Sequence, residues 1–314
     1  MSNSRAPPFE SKGKQWTEKY RPPTLADVKG QDAVVKALST KEDLPHLLFH
    51  GPAGTGKTST ILAFLRERYP RDWGHRTLIL NASDERGINV VREKVKEFVK
   101  VRASYHRYVI LDEADSLTMD AQSALRRIIE GSEGASFCLI CNYRARLIPP
   151  LQSRCFVYQF EPLPVETTVA TLKEIGEREG FVIEDDAAIY LSENTNGDLR
   201  QAITILQNSI VGEEPITLQT LHWTMDHIPD DLLKEISDRV LDALSLTEMR
   251  EIWHRVEKEG FDLVRLLNRW ADYLVTTEED FPFVLINGIS RMLHQISLGA
   301  SPYLQFINLN CNQL

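Results

Sequence analysis

The sequence contains few cysteines and no long hydrophobic run. Four cysteines in 314 residues are too few for a disulfide-stabilised scaffold, which indicates a reducing, intracellular environment. No apolar run approaches the roughly 20 residues that span a bilayer, so we expect no membrane partner. The polar N-terminal segment, MSNSRAPPFESKGKQ, lacks the hydrophobic stretch of a secretory signal. These absences predict a soluble globular protein inside the cell.

The net charge of −9 argues against nucleic-acid binding, but it is an average over two unlike parts of the chain. Residues 1–164 hold 25 Lys and Arg against 19 Asp and Glu, a net charge of +6. Residues 165–314 hold 11 against 26, a net charge of −15. This division predicts that the two parts meet different partners.

Short apolar segments alternate with helical patterns in the first half of the chain. The predicted strands are residues 46–50, 76–81, 108–112, 136–142 and 155–160, and the predicted helices between them are 56–68, 89–101 and 121–130. Because most of the strand segments are continuously apolar, we expect a parallel sheet that is buried on both faces. The β-α-β order therefore predicts a three-layer α/β domain.

Only helical periodicity follows Pro164. The predicted helices are residues 165–179, 185–194, 199–209, 231–242, 246–260, 263–276 and 281–298. A break at residues 227–229 divides this helical part in two. We therefore predict a flexible tail over residues 1–15, an α/β domain over 16–164, a small helical domain over 165–229 and an all-α domain over 230–314.

A glycine-rich segment, GPAGTGKT at residues 51–58, fits the phosphate-binding pattern G-x-x-x-x-G-K-[ST]. It follows a predicted strand and precedes a predicted helix, a context that a chance glycine-rich turn does not require. Backbone N–H groups of the loop would surround the phosphates, Lys57 would neutralise their charge, and Thr58 would ligate Mg²⁺. The expected nucleotide contacts in this segment are Gly51, Gly54, Thr55, Gly56, Lys57, Thr58 and Ser59.

Two carboxylates end the predicted strand 108–112. Asp112 would hold Mg²⁺ through water, and Glu113 would polarise the attacking water; the alternative is an ordinary strand terminus. Together with the phosphate loop, the pair predicts an ATP hydrolase and not a small-molecule kinase, which needs a pocket for a substrate hydroxyl. Residues 112–115 spell DEAD, but a helicase of that type needs a second α/β domain, and everything after Pro164 is predicted to be helical.

Seven motifs follow one another along the chain: WTEKYRP (16–22), LNASDERG (80–87), ILDEAD (110–115), ALRR (124–127), CLICN (138–142), LQSRC (151–155) and NGDLRQA (196–202). Their order and spacing resemble those of the small subunits of replication factor C, the AAA+ clamp loader of eukaryotes and archaea. Within the family, the chain is most similar to the eukaryotic 37-kDa type subunit. The resemblance covers about residues 15–310. It implies an AAA+ domain, a helical lid over 165–229 and an oligomerising helical collar over 230–314.

The resemblance also implies roles for individual residues. Asn142 matches sensor 1, which orients the attacking water, and Arg200 matches sensor 2, which reaches the γ-phosphate. Arg154 matches the arginine finger that enters a neighbouring subunit's ATP site. Without the family, Arg154 would be read as a surface or ion-paired arginine, and Arg200 as an ordinary helix residue. The residues that match the segment near adenine are Tyr20, Arg21 and Val28.

Residues 86–107 carry seven basic and two acidic side chains, a net charge of +5. The expected contacts with the duplex backbone are Arg86, Arg92, Lys96 and Lys100, the last three at four-residue spacing on one helix. The alternative is a solvated helix face.

At the end of the same helix, Phe98, Val101 and Tyr105 could dock on a sliding clamp, with core packing as the alternative.

Cys138 and Cys141 have the spacing of a metal-binding pair. They lie on a predicted strand, where residues three apart point to opposite faces, and no second pair completes a four-ligand site. We expect both thiols to be buried apolar groups.

Taken together, the resemblance implies an ATPase subunit of a heteropentameric clamp loader that works in the nucleus. ATP and Mg²⁺ would be its cofactors, and its partners would be the other subunits, a ring-shaped sliding clamp and primer-template DNA. One alternative is a scaffold subunit with a vestigial ATPase site. Another is a different AAA+ DNA motor, but such motors carry a C-terminal winged-helix domain, which the acidic helical segment 230–314 fits poorly.

Overall fold

The computed structural model describes residues 15–41, 43–83, 88–100, 105–132, 134–210, 214–225, 228–241, 246–277 and 283–311. The chain forms two compact units, Met1–Leu221 and His222–Leu314. Within the described residues, no helix has both the length and the apolar character that crossing a membrane requires.

The first unit is built on one sheet of five strands. They are β1 (Leu47–His50), β2 (Thr77–Asn81), β3 (Arg107–Asp112), β4 (Ala135–Cys141) and β5 (Phe156–Gln159). Their order is β2-β3-β4-β1-β5, and every pairing is parallel, with Leu47 of β1 opposite Cys138 on one side and Phe156 on the other. The carboxyl ends of the strands therefore share one edge. This confirms the predicted parallel α/β sheet.

Both faces of the central strands are buried, which explains their continuous apolar sequence. In β1, Leu47 and Phe49 pack in a core on one face of the sheet, and Leu48 packs in a core on the other. The two edge strands are less buried than the central strands, because each of them has a neighbouring strand on one side only. Ile79 of β2 and Phe156 of β5 are 46% and 57% exposed.

Helices cover the sheet and continue beyond it. They are α1 (Trp16–Lys19), α2 (Asp32–Ser39), α3 (Lys57–Arg68), α4 (Trp73–Arg76), α5 (Ile88–Lys100), α6 (Met119–Glu130), α7 (Pro149–Gln152), α8 (Val165–Glu179), α9 (Asp185–Asn194), α10 (Leu199–Asn208) and α11 (Leu218–Thr224). Arg76 ends α4 and does not begin β2 as predicted, because its Nε atom donates to Asp72 Oδ2 one turn earlier, at 2.6 Å.

Five helices form the second unit among its described residues. They are α12 (Asp230–Leu241), α13 (Leu246–Glu259), α14 (Leu263–Thr277), α15 (Phe283–Ser297) and α16 (Pro302–Cys311). Their core surrounds Trp270, which is fully buried and whose indole N–H donates to Ser237 Oγ at 2.8 Å. The sequence analysis predicted four of these helices and missed α16.

A small polar cluster lies near the start of β4. His106 Nε2 lies 2.7 Å from Ser136 Oγ, and His46 Nδ1 accepts a hydrogen bond from the Phe137 backbone N–H at 3.2 Å. Burial lowers the pKa of both imidazoles, and the nearby His106 lowers the pKa of His46 further. An Nδ1 atom that accepts a hydrogen bond carries no proton, so this arrangement requires neutral His46.

We predict that the first unit loses stability as the pH falls through this pair's titration range. In the unfolded chain a histidine binds a proton near its ordinary pKa of about 6.5, whereas the folded imidazoles resist protonation. The contribution of the neutral imidazoles to the free energy of unfolding is therefore complete above about pH 6.5, and it is lost as the pH falls toward their lowered pKa in the folded state. The His46→Asn variant, which keeps an acceptor but does not titrate, should lose less stability between about pH 7.5 and pH 5.5 in urea unfolding. The exposed His75→Asn variant is the control. An equal loss in all three proteins would contradict the prediction.

Candidate nucleotide-binding and active site

The phosphate loop joins the end of β1 to the start of α3, at the carboxyl edge of the sheet. Gly54 has φ of 65°, and a Cβ atom there would lie 1.7 Å from Asp198 Oδ1. Gly56, with φ of 93°, precedes the first residue of α3. Both positive φ angles favour glycine, and at position 54 the closeness of Asp198 leaves no room for a side chain. The loop thus places the N-terminus of a twelve-residue helix at the site.

Lys57 is a buried cation held by the loop itself. Lys57 is only 8% exposed, and its Nζ atom donates to the carbonyl oxygens of Gly51 and Pro52 at 2.7 and 2.5 Å. Burial lowers the pKa of the ammonium, the Asp112 carboxylate opposes that effect, and the positive charge of Arg200 adds to it. Two cations that face the same space create a site for an anion such as phosphate.

Oxygen ligands for a divalent cation lie beside Lys57. Thr58 Oγ1 donates to Asp112 Oδ2 at 2.7 Å, and the backbone N–H of Glu113 donates to Asp112 Oδ1 at 3.0 Å. Hydroxyl and carboxylate oxygens are the ligands that Mg²⁺ prefers. Glu113 has φ of 53°, a conformation that costs a non-glycine residue on the order of 1 kcal/mol. Its strained backbone places Glu113 on the wall of the same cleft as Asp112 and Thr58.

A cleft of about 630 Å³ collects most of the predicted site residues on its wall. They are Tyr20, Arg21, Val28, Gly54, Thr55, Gly56, Lys57, Thr58, Ser59, Asp112, Glu113, Asn142 and Arg200. Arg21 Nε is buried and finds no hydrogen-bond partner among the described residues, while another nitrogen of the same guanidinium pairs with Glu18. Gly51 lies behind the wall, where its carbonyl oxygen accepts from Lys57.

Asp115 supports the position of Asn142. Asn142 follows β4 directly, and its backbone N–H and that of Tyr143 donate to Asp115 Oδ2 at 3.2 and 3.0 Å. The last residue of the DEAD segment therefore fixes the chain at the candidate sensor 1. Sequence reasoning gave Asp115 no role, because the contact joins two strand ends that only the sheet brings together.

Arg200 reaches the cleft from α10. Asp198 caps this helix, since its Oδ1 atom accepts from the backbone N–H of Gln201 at 2.9 Å, and the same side chain touches Gly54. This contact joins α10 to the phosphate loop and sets the distance between Arg200 and Lys57. Apolar side chains that sequence reasoning missed complete this wall, among them Leu163, Ile175, Leu199 and Ile203.

Arg154 lies away from the cleft. It precedes β5, at the amino-terminal edge of the parallel sheet, opposite the phosphate loop. Its guanidinium forms an ion pair with Glu130 and donates to the Pro150 carbonyl oxygen at 2.6 Å. Within this chain, Arg154 therefore makes the intramolecular ion pair that the alternative interpretation describes.

The candidate DNA-binding helix is α5. Lys96 and Lys100 are exposed, while Val95 is fully buried and Phe98 packs against the same core. Arg86 and Val101 lie outside the described residues, as does the side chain of Arg92. Tyr105 stacks with the guanidinium groups of Arg76 and Arg107. Phe98 thus packs as the core-packing alternative describes, whereas Tyr105 contacts two arginines.

Cys138 and Cys141 are both buried, as predicted. Burial raises the pKa of the Cys141 thiol to about 12, and the nearby Asp115 carboxylate contributes in the same direction. The two residues are apolar parts of β4.

Gln31 is a further residue that the sequence analysis missed. It is 5% exposed, and its amide nitrogen donates to the carbonyl oxygens of Thr55, at 3.3 Å, and Glu161, at 2.8 Å. Its Oε1 atom accepts from the Glu161 backbone N–H at 3.4 Å. Gln31 therefore ties the phosphate loop to the chain that leaves β5. Nothing in the local sequence distinguishes this glutamine from a surface residue.

Comparisons with known proteins identify the family of this chain. Residues 47–163 match the family described as ATPases associated with various cellular activities (AAA). Replication factor C subunit 2 of Saccharomyces cerevisiae is 38% identical over 322 residues, covering 94% of this chain and 91% of the relative. The replication factor C small subunit of Archaeoglobus fulgidus is 41% identical, over 92% of this chain and 94% of the relative. Subunit 5 of Mus musculus is 37% identical, over 98% and 94%.

The chain belongs to the replication factor C family. The AAA match of residues 47–163 adds that the chain has the domain of an ATPase family, which implies nucleotide binding. Three differently named relatives are similar to this chain to nearly the same degree, so the 37-kDa subunit type stays a prediction.

Solved structures support the fold of this replication factor C chain. RuvB of Thermotoga maritima, described as a Holliday junction branch migration motor, superposes with a TM-score of 0.56 at 21% identity, over 69% of this chain and 79% of that one. A mutant of the same protein gives a TM-score of 0.57 at 20% identity and the same coverage. At this identity the likeness shows a shared fold.

We predict that Gln31→Ala weakens binding of the slowly hydrolysed analogue ATPγS several-fold and lowers the free energy of unfolding by about 1–3 kcal/mol. The substitution leaves buried main-chain groups without partners and frees the phosphate loop. Calorimetric titration and urea unfolding measure the two effects. Lys36→Ala, on the exposed face of α2, is the control. Unchanged ATPγS affinity would show that Gln31 does not position the loop.

Proposed function

We propose that the chain is an ATPase subunit of a heteropentameric clamp loader, which opens a ring-shaped sliding clamp and places it on primer-template DNA during replication and repair. The observation that carries this proposal is the cleft that gathers Lys57, Thr58, Asp112 and Glu113, in a chain 38–41% identical to replication factor C subunits. The resemblance to eukaryotic subunits supports a nuclear location.

The site residues divide the work of ATP hydrolysis. Lys57 and Arg200 bind and neutralise the phosphates, and the loop backbone orients them. Thr58 and Asp112 fit Mg²⁺, which would offset charge on the β- and γ-phosphates. Glu113 accepts a hydrogen bond from the attacking water and polarises it, with Asn142 orienting the same water. Tyr20, Arg21 and Val28 form the part of the wall that receives the base.

Arg154 acts in a neighbouring subunit. A residue with that role must lie on the surface and away from its own cleft, and Arg154 satisfies both conditions. Its partner Glu130 is exposed, and water screens exposed ion pairs, so assembly can replace Glu130 with a nucleotide phosphate. Activity therefore depends on assembly.

DNA would pass along α5, where Lys96 and Lys100 are exposed to solvent. Arg86 and Arg92, which precede these lysines in the sequence, are the other two proposed contacts. Contacts with phosphates alone bind DNA without regard to its sequence and weaken as salt rises. Such binding suits a protein that must act at any primer terminus.

We further propose that residues 165–229 act as the lid and residues 230–314 as the collar.

The two alternatives account for less of the site. A vestigial ATPase has no reason to keep Lys57, Thr58, Asp112 and Glu113 around one cleft. A branch-migration motor shares the fold at only about 20% identity. The described residues of the second unit form helices alone, without the strands of a winged-helix domain.

We predict that Arg154→Ala leaves ATPγS binding by the isolated chain unchanged but slows hydrolysis at the adjoining site of the reconstituted complex by about 10³-fold. Clamp loading on primed DNA should fall with it. Arg126→Ala is a matched control, because Arg126 also pairs with Glu130 through an exposed guanidinium. Clamp loading that survives Arg154→Ala, or that falls equally in the control, would contradict the proposed role.

A further inference from the structure

Residues 16–21 pack against the helical part of the chain that follows the sheet, and their last two residues line the nucleotide cleft. The Trp16 ring stacks on Phe181, with centroids 5.6 Å apart and planes 8° from parallel. The Trp16 backbone N–H donates to Gln207 Oε1 of α10 at 3.0 Å. Four residues later, Tyr20 and Arg21 line the nucleotide cleft.

Glu179 holds the other end of this docked segment. It is the last residue of α8, and its Oε1 atom accepts from the Tyr20 hydroxyl and from Lys19 Nζ, each at 2.6 Å. The Glu179 side chain is 18% exposed and does not reach the cleft wall. Burial and the Glu179 carboxylate raise the pKa of the Tyr20 hydroxyl, so it stays protonated and able to donate.

The end of α8 gives Glu179 a fixed position. Gly180, with φ of 84°, ends the helix, and its backbone N–H donates to the Gly176 carbonyl oxygen at 2.8 Å. The Phe181 N–H donates to the same oxygen at 3.0 Å. Glu179 and Phe181, the two residues that hold residues 16–21 in place, thus lie on either side of one hydrogen-bonded turn.

We propose that Glu179 is a positioning residue for nucleotide binding: it holds Tyr20 and Arg21 on the cleft wall without touching the nucleotide. This inference rests on the proposed function, since it takes the cleft to be the ATP site. A nucleotide that contacts Tyr20 favours the docked segment, and by reciprocity the docked segment raises nucleotide affinity. Glu179 therefore couples the cleft to α8.

The test compares four variants of the full chain by calorimetric titration with ATPγS and Mg²⁺. Glu179→Ala should weaken binding about tenfold, because the Tyr20 hydroxyl loses a charged acceptor. Glu179→Gln keeps one acceptor oxygen for Tyr20 and should recover most of the affinity. Tyr20→Phe should weaken binding to a similar degree. Glu177→Ala removes the same charge from an exposed position on the same turn and should bind like the wild type.

A double-mutant cycle separates positioning from general destabilisation. If Glu179 acts through Tyr20, the Glu179→Ala and Tyr20→Phe effects on affinity will be strongly non-additive. Additive effects, equal losses in Glu179→Ala and Glu177→Ala, or wild-type affinity in Glu179→Ala would overturn the inference. In each of those cases, a loss of binding in Lys57→Ala would still support the proposed ATP site. A wild-type chain that binds no ATPγS would overturn both the inference and the proposed function.

Discussion

The buried positive charge of Lys57 is the constraint on which the rest of the site depends. Removing an ammonium from water costs several kcal/mol unless partners replace the water. Two loop carbonyls and the Asp112 carboxylate offset only part of that cost, and Arg200 adds a second positive charge nearby. A phosphate bound in the cleft would supply the missing negative charge. The glycine loop, the two carboxylates at the end of β3 and the cap of α10 all surround Lys57.

The parallel sheet satisfies that requirement by bringing distant residues to one edge. Thr58, Asp112 and Asn142 follow three different strands, and the order β3-β4-β1 places those strands side by side. Contacts outside the sheet set the remaining positions, because Asp198 touches Gly54 and Gln31 joins the loop to Glu161. Arg154 precedes β5 and so lies at the opposite, amino-terminal edge of the sheet. One sheet thus separates the proposed ATP site from the residue that we propose acts in a neighbouring subunit.

The sequence predicts those parts of the structure that local pattern determines. Continuous apolar runs identify the five strands, and the glycine loop and Asp112 identify the site they converge on. Arg76 departs from the prediction because a single side-chain bond to Asp72 draws it into α4. Helix α16 was missed. Gln31 and Glu179 could not be found, because their contacts join residues 130 and 159 positions apart, and a lone Gln or Glu has no local signature.

A phosphate bound in the cleft would compensate the charge of Lys57. The most direct test is urea unfolding of the wild type and of Lys57→Met, each with and without ATPγS and Mg²⁺. At about 100 times its dissociation constant, ATPγS should stabilise the wild type by about 2.7 kcal/mol, because it binds only the folded chain. Lys57→Met should show no such gain, while the exposed Lys36→Met should behave like the wild type. Equal stabilisation of Lys57→Met and the wild type would contradict the claim.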